Sequence, residues 1–238
     1  MLILPAIDLR DGHCVRLRQG RADEETVYSG DPTRVASDFV AHGARALHLV
    51  DLDGAFTGAS RNLASIRAIR ATVDIPLELG GGIRSLEQIQ AVLDLGIESV
   101  IVGTMAVRDP ELFQKALDTY GGDRLQLGID ARDGKVAVQG WEEETSEDAI
   151  AFGKKWASHG VQRIIFTDIA KDGMLEGPNV EAIRHFAEGT GLKVTASGGV
   201  TRPEDVEALR KLEGIGVDRV IIGKALYEGR IHLEELKQ

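Results

Sequence analysis

One numerical regularity constrains this chain more than its composition does. His42-Gly43 recurs as His159-Gly160, Asp51 as Asp168, Asn62 as Asn179, and Gly81-Gly82-Ile83 as Gly198-Gly199-Val200. The differences 160−43, 168−51, 179−62 and 198−81 all equal 117. Val100-Ile101-Val102-Gly103 matches Val220-Ile221-Ile222-Gly223 at 120, which places a three-residue insertion at about 213–216. Chance aligns one glycine pair but not several landmarks on one offset, so the chain reads as a duplicated half. The expected organisation is one domain over all 238 residues, with half-units at about 1–120 and 121–238.

Within each half, short apolar runs alternate with amphipathic stretches. Strands are predicted at 2–7, 46–50, 76–79, 99–102, 125–129, 163–167, 193–196 and 219–222. None alternates polar with apolar residues, as expected of parallel strands covered on both faces. Helical patterns lie between them at 33–42, 62–71, 86–95, 147–159, 180–188 and 203–212. Ser85 with Gln88, Asn62, Asn179 and Pro203 supply start signals. Eight strands alternating with helices over this length predict an α/β fold, a (β/α)8 TIM barrel built from two four-strand halves.

Charge narrows the function classes. Asp and Glu number 38 against 28 Lys and Arg, a net charge of −10 that repels nucleic acid and anionic lipid. The single cysteine, Cys14, forms no internal disulfide, which fits a reducing compartment. No apolar run reaches membrane-spanning length, and Met1–Ile7 meets Asp8 too soon for a signal-peptide core. A cytoplasmic protein that binds neither nucleic acid nor membrane is expected.

In this fold the active site lies at the carboxyl ends of the strands. Asp8 follows the first strand and Asp130 the fifth, at matching places in the two halves. Those strands are opposed in an eight-membered ring, so the carboxylates face one another across the mouth. Such a pair can divide into proton acceptor and donor when its surroundings separate the two pKa values; the alternative is that each caps its loop. Gly80-Gly81-Gly82 and Gly103-Thr104 follow strands three and four, and Ser197-Gly198-Gly199 and Gly223-Lys224 follow strands seven and eight. Loops after the last two strands are the usual phosphate cradle of this fold, and here the pair occurs twice. Glycines also permit tight turns, but matched pairs on opposite rims favour an elongated substrate with a phosphate at each end. Thr167, Asp168 and Asp51 are mouth residues by position; for Thr167 and Asp168 a substrate-orienting role and a structural one stand level.

Other constellations are weak. Six histidines show no metal-binding spacing, and no metal is expected. His42 and His159 suit helix ends, and His48 either points into the mouth or belongs to the core. Lys171 reads as a loop lysine, Lys224 as a phosphate ligand, Glu142–Glu144 as a solvated run, and Trp141 as a stacking lid.

The motifs Leu4-Pro5-Ala6-Ile7-Asp8-Leu9 with Val15-Arg16-Leu17 and Gln19-Gly20, His48 through Ala55, Gly80 through Arg84, Thr167-Asp168-Ile169 with Lys171-Asp172-Gly173, Gly177-Pro178-Asn179, Ser197 through Val200 and Ile222 through Leu226 span the chain. Together they resemble the Amadori isomerases of histidine biosynthesis, the phosphoribosylformimino-5-aminoimidazole carboxamide ribotide isomerases. The resemblance implies a substrate with two phosphoribosyl groups, a bisphosphorylated nucleotide, with Asp8 as proton acceptor and Asp130 as donor. It implies no cofactor, because only protons move, and a monomer is expected. Asp172 matches a position with a proposed acid role in relatives, and Arg84 and Trp141 match residues that hold and cover substrate. Met174 departs from the family's usual Asp-Gly-Thr. Two alternatives share the duplicated barrel: the cyclase subunit of imidazole glycerol phosphate synthase, whose opening has Cys before Leu-Asp-Val, and a dual-specificity isomerase with an extra arginine before the tryptophan. This chain has Ala6-Ile7-Asp8-Leu9 and Val138-Gln139-Gly140-Trp141 instead.

Overall fold

Apolar runs too short for helices and buried on both sides become the staves of a barrel. A computed structural model describes residues 1–18, 21–138, 140–141 and 143–236. Gln19-Gly20, Gln139, Glu142 and the last two residues lie outside the described residues. In the first half the chain runs through β1 (Leu2–Arg10), β2 (His13–Arg18), β3 (Arg21–Ser29), α1 (Pro32–Ala41), β4 (Leu47–Asp51) and α2 (Leu52–Thr57). It continues through α3 (Leu63–Thr72), β5 (Leu77–Gly80), α4 (Leu86–Asp94), β6 (Ser99–Val102), α5 (Thr104–Arg108) and α6 (Pro110–Tyr120). The second half follows with β7 (Leu125–Arg132), β8 (Lys135–Val138), β9 (Glu143–Asp148), α7 (Ala149–Ala157) and β10 (Arg163–Asp168). It ends with α8 (Val180–Thr190), β11 (Lys193–Ser197), α9 (Pro203–Arg210), β12 (Val217–Ile222) and α10 (Lys224–Tyr227).

Eight parallel strands close a ring in the order β1, β4, β5, β6, β7, β10, β11, β12 and back to β1. The fold is a (β/α)8 barrel. Each ring strand falls within a few residues of its expected span, and β1 and β7 stand opposite one another with three strands between them on either side. Between ring and helices lies the main core, which includes Phe113, Trp156 and Phe186, each at most 1% exposed. Phe113 meets Trp156 edge to face at 4.5 Å, an arrangement favoured by the ring quadrupoles. Inside the ring Leu4, Ala6, Ala46, Ile101, Ile165 and Ile221 form a second, smaller apolar cluster.

The helix boundaries follow local chemistry. Asp31 accepts from the N–H groups of Thr33 and Arg34 ahead of Pro32, and Asp109 accepts from Leu112 ahead of Pro110. Ser85 and Asn179 cap as expected, accepting from Gln88 and Ala182. Asn62 does not cap. The expected helix at 147–159 is shortened, because Glu147 and Asp148 complete β9 and the helix is Ala149–Ala157. The 120 offset coincides with a short 3-10 turn at Glu213–Ile215.

Two hairpins depart from the simple alternation. β2 pairs antiparallel with β1 in the register Asp8↔Val15 and Arg10↔His13. β8 pairs with β7 in the register Asp130↔Ala137 and Arg132↔Lys135. Their turns, Asp11-Gly12 and Asp133-Gly134, have φ of 46° and 78°, and 50° and 77°. That left-handed pair of residues matches the twist of the flanking strands and makes Asp-Gly a strong hairpin signal. Glu143, expected in a solvated loop, is in β9 with its side chain still half exposed and paired with Arg108. Among the described residues no helix is long and apolar enough to cross a membrane.

Candidate active site

At the carboxyl ends of the strands lies a cavity of about 240 Å³. Asp8 reaches it from β1 and Asp130 from β7. The β1–β2 hairpin returns the chain past Asp8, so that Arg16 Nη1 lies 2.8 Å from Asp8 Oδ2. On the opposite side the Asp130 carboxylate accepts hydrogen bonds from Thr167 and Trp141. Asp172 enters from the loop after β10.

All three carboxyls are held above the ordinary aspartate range. For Asp8, burial raises the pKa more than the Arg16 and His48 charges lower it. For Asp130, burial outweighs the hydrogen bonds from Thr167 and Trp141 and the charge of His48. Asp172 is pushed up to about 6 by burial, with Arg16 and Lys224 opposing and the charges of Asp8 and Asp130 reinforcing the rise. The cavity therefore holds three carboxyls whose burial favours their protonated forms, as proton exchange requires.

The rims carry the glycine loops. Gly81, Gly82, Arg84, Gly103 and Thr104 line one side, and Gly198, Gly199, Gly223 and Lys224 the other. The N-cap residues of α5 and α10, Gly103 and Gly223, carry no side chain to cap these helices, which begin at Thr104 and Lys224. The glycines have structural reasons of their own. A Cβ on Gly82 (φ +69°) would lie 2.0 Å from the Gly54 carbonyl oxygen, and one on Gly199 (φ +89°) 2.5 Å from that of Gly177. A Cβ on Gly223 would strike the Arg16 guanidinium at 2.1 Å. Lys224 Nζ donates to the Gly173 carbonyl at 3.2 Å, and Arg84 Nη2 to that of Ala55 at 3.3 Å.

Asp168, whose orienting and structural readings stood level, does not line the cavity; its Oδ1 accepts from the Ala170 N–H at 3.0 Å and its Oδ2 from Asn179 Nδ2 at 2.8 Å. Asp51 is likewise turned away, accepting from the Gly54 N–H and from Asn62 Nδ2. In a βα loop these are the bonds of an aspartate that shapes the turn. Asp8, Asp130, Trp141, Thr167 and Asp172 do come together in the cavity.

Arg16, Phe56 and His48 complete it. Apolar and polar spacing does not identify Arg16, and the Asp11-Gly12 turn pairs Asp8 with Val15, so the approach of Arg16 to Asp8 is seen only in the tertiary structure. Cys14 is fully buried and its thiol is pushed up to about 12 by burial, with Asp8 and Asp31 adding to the rise, so it is an inert core residue. Lys171 lies outside the cavity, 3.4 Å from Glu176. His42 and His159 contact the Asp38 and Lys155 carbonyls at helix ends. Among the described residues no group of three or more His, Cys, Asp or Glu is placed to hold a metal ion.

Comparison with known proteins agrees with this architecture. The family described as histidine biosynthesis protein matches residues 2–232. A 1-(5-phosphoribosyl)-5-((5-phosphoribosylamino)methylideneamino)imidazole-4-carboxamide isomerase from Desulforudis audaxviator is 53% identical over 99% of this chain and 89% of its own length. The isomerase of the same name from Pelotomaculum thermopropionicum is 52% identical over 99% and 90%. That from Geobacter sulfurreducens is 49% identical over 99% and 96%. With such identity along almost its entire length, and with a cavity lined by Asp8, Asp130 and Asp172 at the mouth of its barrel, the chain belongs to the histidine biosynthesis protein family as one of its isomerases.

Proposed function

We propose that this enzyme opens and isomerises the phosphoribosylamino group of the substrate named for its relatives, giving the phosphoribulosyl isomer, by general acid–base catalysis. The observation that carries the proposal is the placement of Asp8 and Asp130 on opposed strands in one cavity, both with raised pKa values. A carboxylic acid protonates the ribose ring oxygen, and the ring opens to a Schiff base. Asp8, the acceptor, then takes the proton from the adjacent ribose carbon. The resulting enolamine gains a proton at the first carbon and loses the hydroxyl proton at the second, which yields the aminoketose. The sum is an isomerisation that moves only protons, and it draws on no redox group or metal.

Asp130 is the proposed donor, positioned by Thr167 and Trp141. Asp172, held at about 6, is the second group that can fill that role. The elongated substrate is read as lying between the rims, one phosphate by Gly81, Gly82, Gly103 and Thr104, the other by Gly198, Gly199, Gly223 and Lys224. Arg84 and Trp141 hold and cover it. A monomer acting in the cytoplasm is part of the same proposal.

The test is turnover by purified protein beside Asp8→Asn and Asp130→Asn. Wild type should convert the substrate, and each variant should lose about 10²- to 10⁴-fold in kcat. An inert wild type, or variants equal to it, would overturn the assignment.

A further inference from the structure

The barrel holds a second cavity, of about 360 Å³, at the opposite end of the strands. It is lined by Glu78, Ser99, Gln126 and Arg219 among others. Between the two cavities lies the small apolar cluster: Ala6, Ile101, Ile165 and Ile221 face the catalytic cavity, Leu4 and Ala46 the lower one. A polar link crosses this floor. His48 lines the upper cavity and Glu78 the lower, and their strands pair in the register His48↔Glu78. His48 Nδ1 lies 2.7 Å from Glu78 Oε1.

Glu78 is only 3% exposed and yet ionised. Burial works against its charge, but the hydrogen bonds from His48 and Gln126 and the nearby charges of His48 and Arg219 hold its carboxyl below the usual range. Gln126 Nε2 lies 3.1 Å from Glu78 Oε2 and 2.6 Å from Ser99 Oγ, and Arg219 Nη1 lies 3.8 Å from Oε2. A carboxylate accepts only, so the His48 nitrogen facing it must carry a proton. Nε2 is left for the catalytic cavity, within reach of the charges of Asp8 and Asp130. The pair breaks the internal repeat, because the positions 117 residues later are Ile165 and Thr195. A feature of one half only is not required by the barrel itself.

We propose that Glu78, although it lies outside the catalytic cavity, is a positioning residue for the isomerisation: by accepting the Nδ1–H of His48 through the apolar floor, it fixes Nε2 as the nitrogen presented to the substrate. The logic is that of a buried carboxylate that sets the tautomer and orientation of a catalytic-site imidazole. The inference rests on the isomerase reading for its consequence, but its ring chemistry is measurable without turnover.

The experiment is nitrogen-15 NMR of histidine-labelled protein at a pH where imidazole is neutral, with the His48 signals assigned by their loss in His48→Asn. Wild type should show His48 protonated at Nδ1. Glu78→Met removes the acceptor, so the ring should shift to Nε2–H, and kcat should fall about 10- to 100-fold with KM within about threefold. If Glu78→Met does not fold, Glu78→Gln decides: its weaker amide acceptor should raise the Nε2–H fraction and lower kcat about threefold or more. An unchanged tautomer or an unchanged kcat overturns the inference while leaving the isomerase reading intact. A wild type protonated at Nδ1 that does not turn over overturns the isomerase reading and not the pairing.

Discussion

Arg16 and Asp8 form a buried ion pair, Nη1 to Oδ2 at 2.8 Å, that joins the first barrel strand to its own hairpin at the cavity in the barrel mouth. Burial of the Asp8 carboxyl in the absence of that guanidinium would favour its protonated form, which cannot act as a base. The pair thus links hairpin geometry to the ionisation of the proposed acceptor.

Replacing Arg16 by Leu removes the charge that draws Asp8 down, so the Asp8 pKa rises further. Since the base works only when ionised, the acidic limb of the kcat/KM profile should move to higher pH. Near neutrality the loss should be about tenfold or more. A profile whose acidic limb stays in place would mean that Arg16 does not set the acceptor's charge.

Asp172 makes a stability prediction with a definite sign. Its pKa is about 6 folded against 3.8 unfolded, so the folded state holds a proton that the unfolded chain releases between those values. Its contribution to stability therefore declines as pH rises from 3.8 to 6 and is least favourable above 6. Asp172→Asn should raise Tm above pH 6, by about 1–2 kcal/mol or a few degrees, and lose that advantage below pH 3.8. If Asp172 is the proton donor, the same variant loses the alkaline limb of its rate profile; retention of that limb assigns the donor to Asp130.

Gly82→Ala separates two reasons for a rim glycine. The added Cβ meets the Gly54 carbonyl oxygen at 2.0 Å, and φ is +69°. The variant should lose about 2–4 kcal/mol in urea unfolding with no substrate present. Full stability with weakened substrate binding would instead assign this glycine to phosphate alone.

Asn62 is fully buried, and its side-chain nitrogen lies 2.7 Å from Asp51 Oδ1 and 2.9 Å from Asp53 Oδ2. Its oxygen accepts the Gly12 N–H at 2.9 Å, so one amide ties the β1–β2 turn to the end of β4 and the start of α2. Asn62→Leu should cost about 3–5 kcal/mol, because two carboxylates lose a buried donor and an N–H loses its acceptor. Equilibrium unfolding of the variant checks this, and a loss below about 1 kcal/mol would refute the clamp.

The staves of the barrel were legible because a strand buried on both faces leaves an unbroken apolar run, as at 99–102, where the expected and observed spans coincide. The hairpins were not legible from that criterion, since β3 (Arg21–Ser29) and β9 (Glu143–Asp148) are largely polar. Their signal was local and repeated, Arg10-Asp11-Gly12 and Arg132-Asp133-Gly134, at an offset of 122 rather than 117. For the site, position at a strand's end brought Asp8, Asp130 and Thr167 to the cavity but did not separate the two readings of Asp168. Adjacent residues at a strand end point to opposite sides, and the bonds from Ala170 and Asn179 show which side Asp168 takes.

By itself, then, the sequence determined the barrel, its strand order and the carboxylates at the mouth, because periodicity and repeat offset are properties of the chain read in one dimension. The tertiary structure decided the rest. It showed that Arg16 serves Asp8, that Asp168 and Asn62 hold loops, that Gly82 makes room for backbone, and that Glu78 reaches His48 through the floor. These relationships join side chains from different strands at distances of a few ångströms, where hydrogen bonding and burial act, and spacing along the chain carries no record of them.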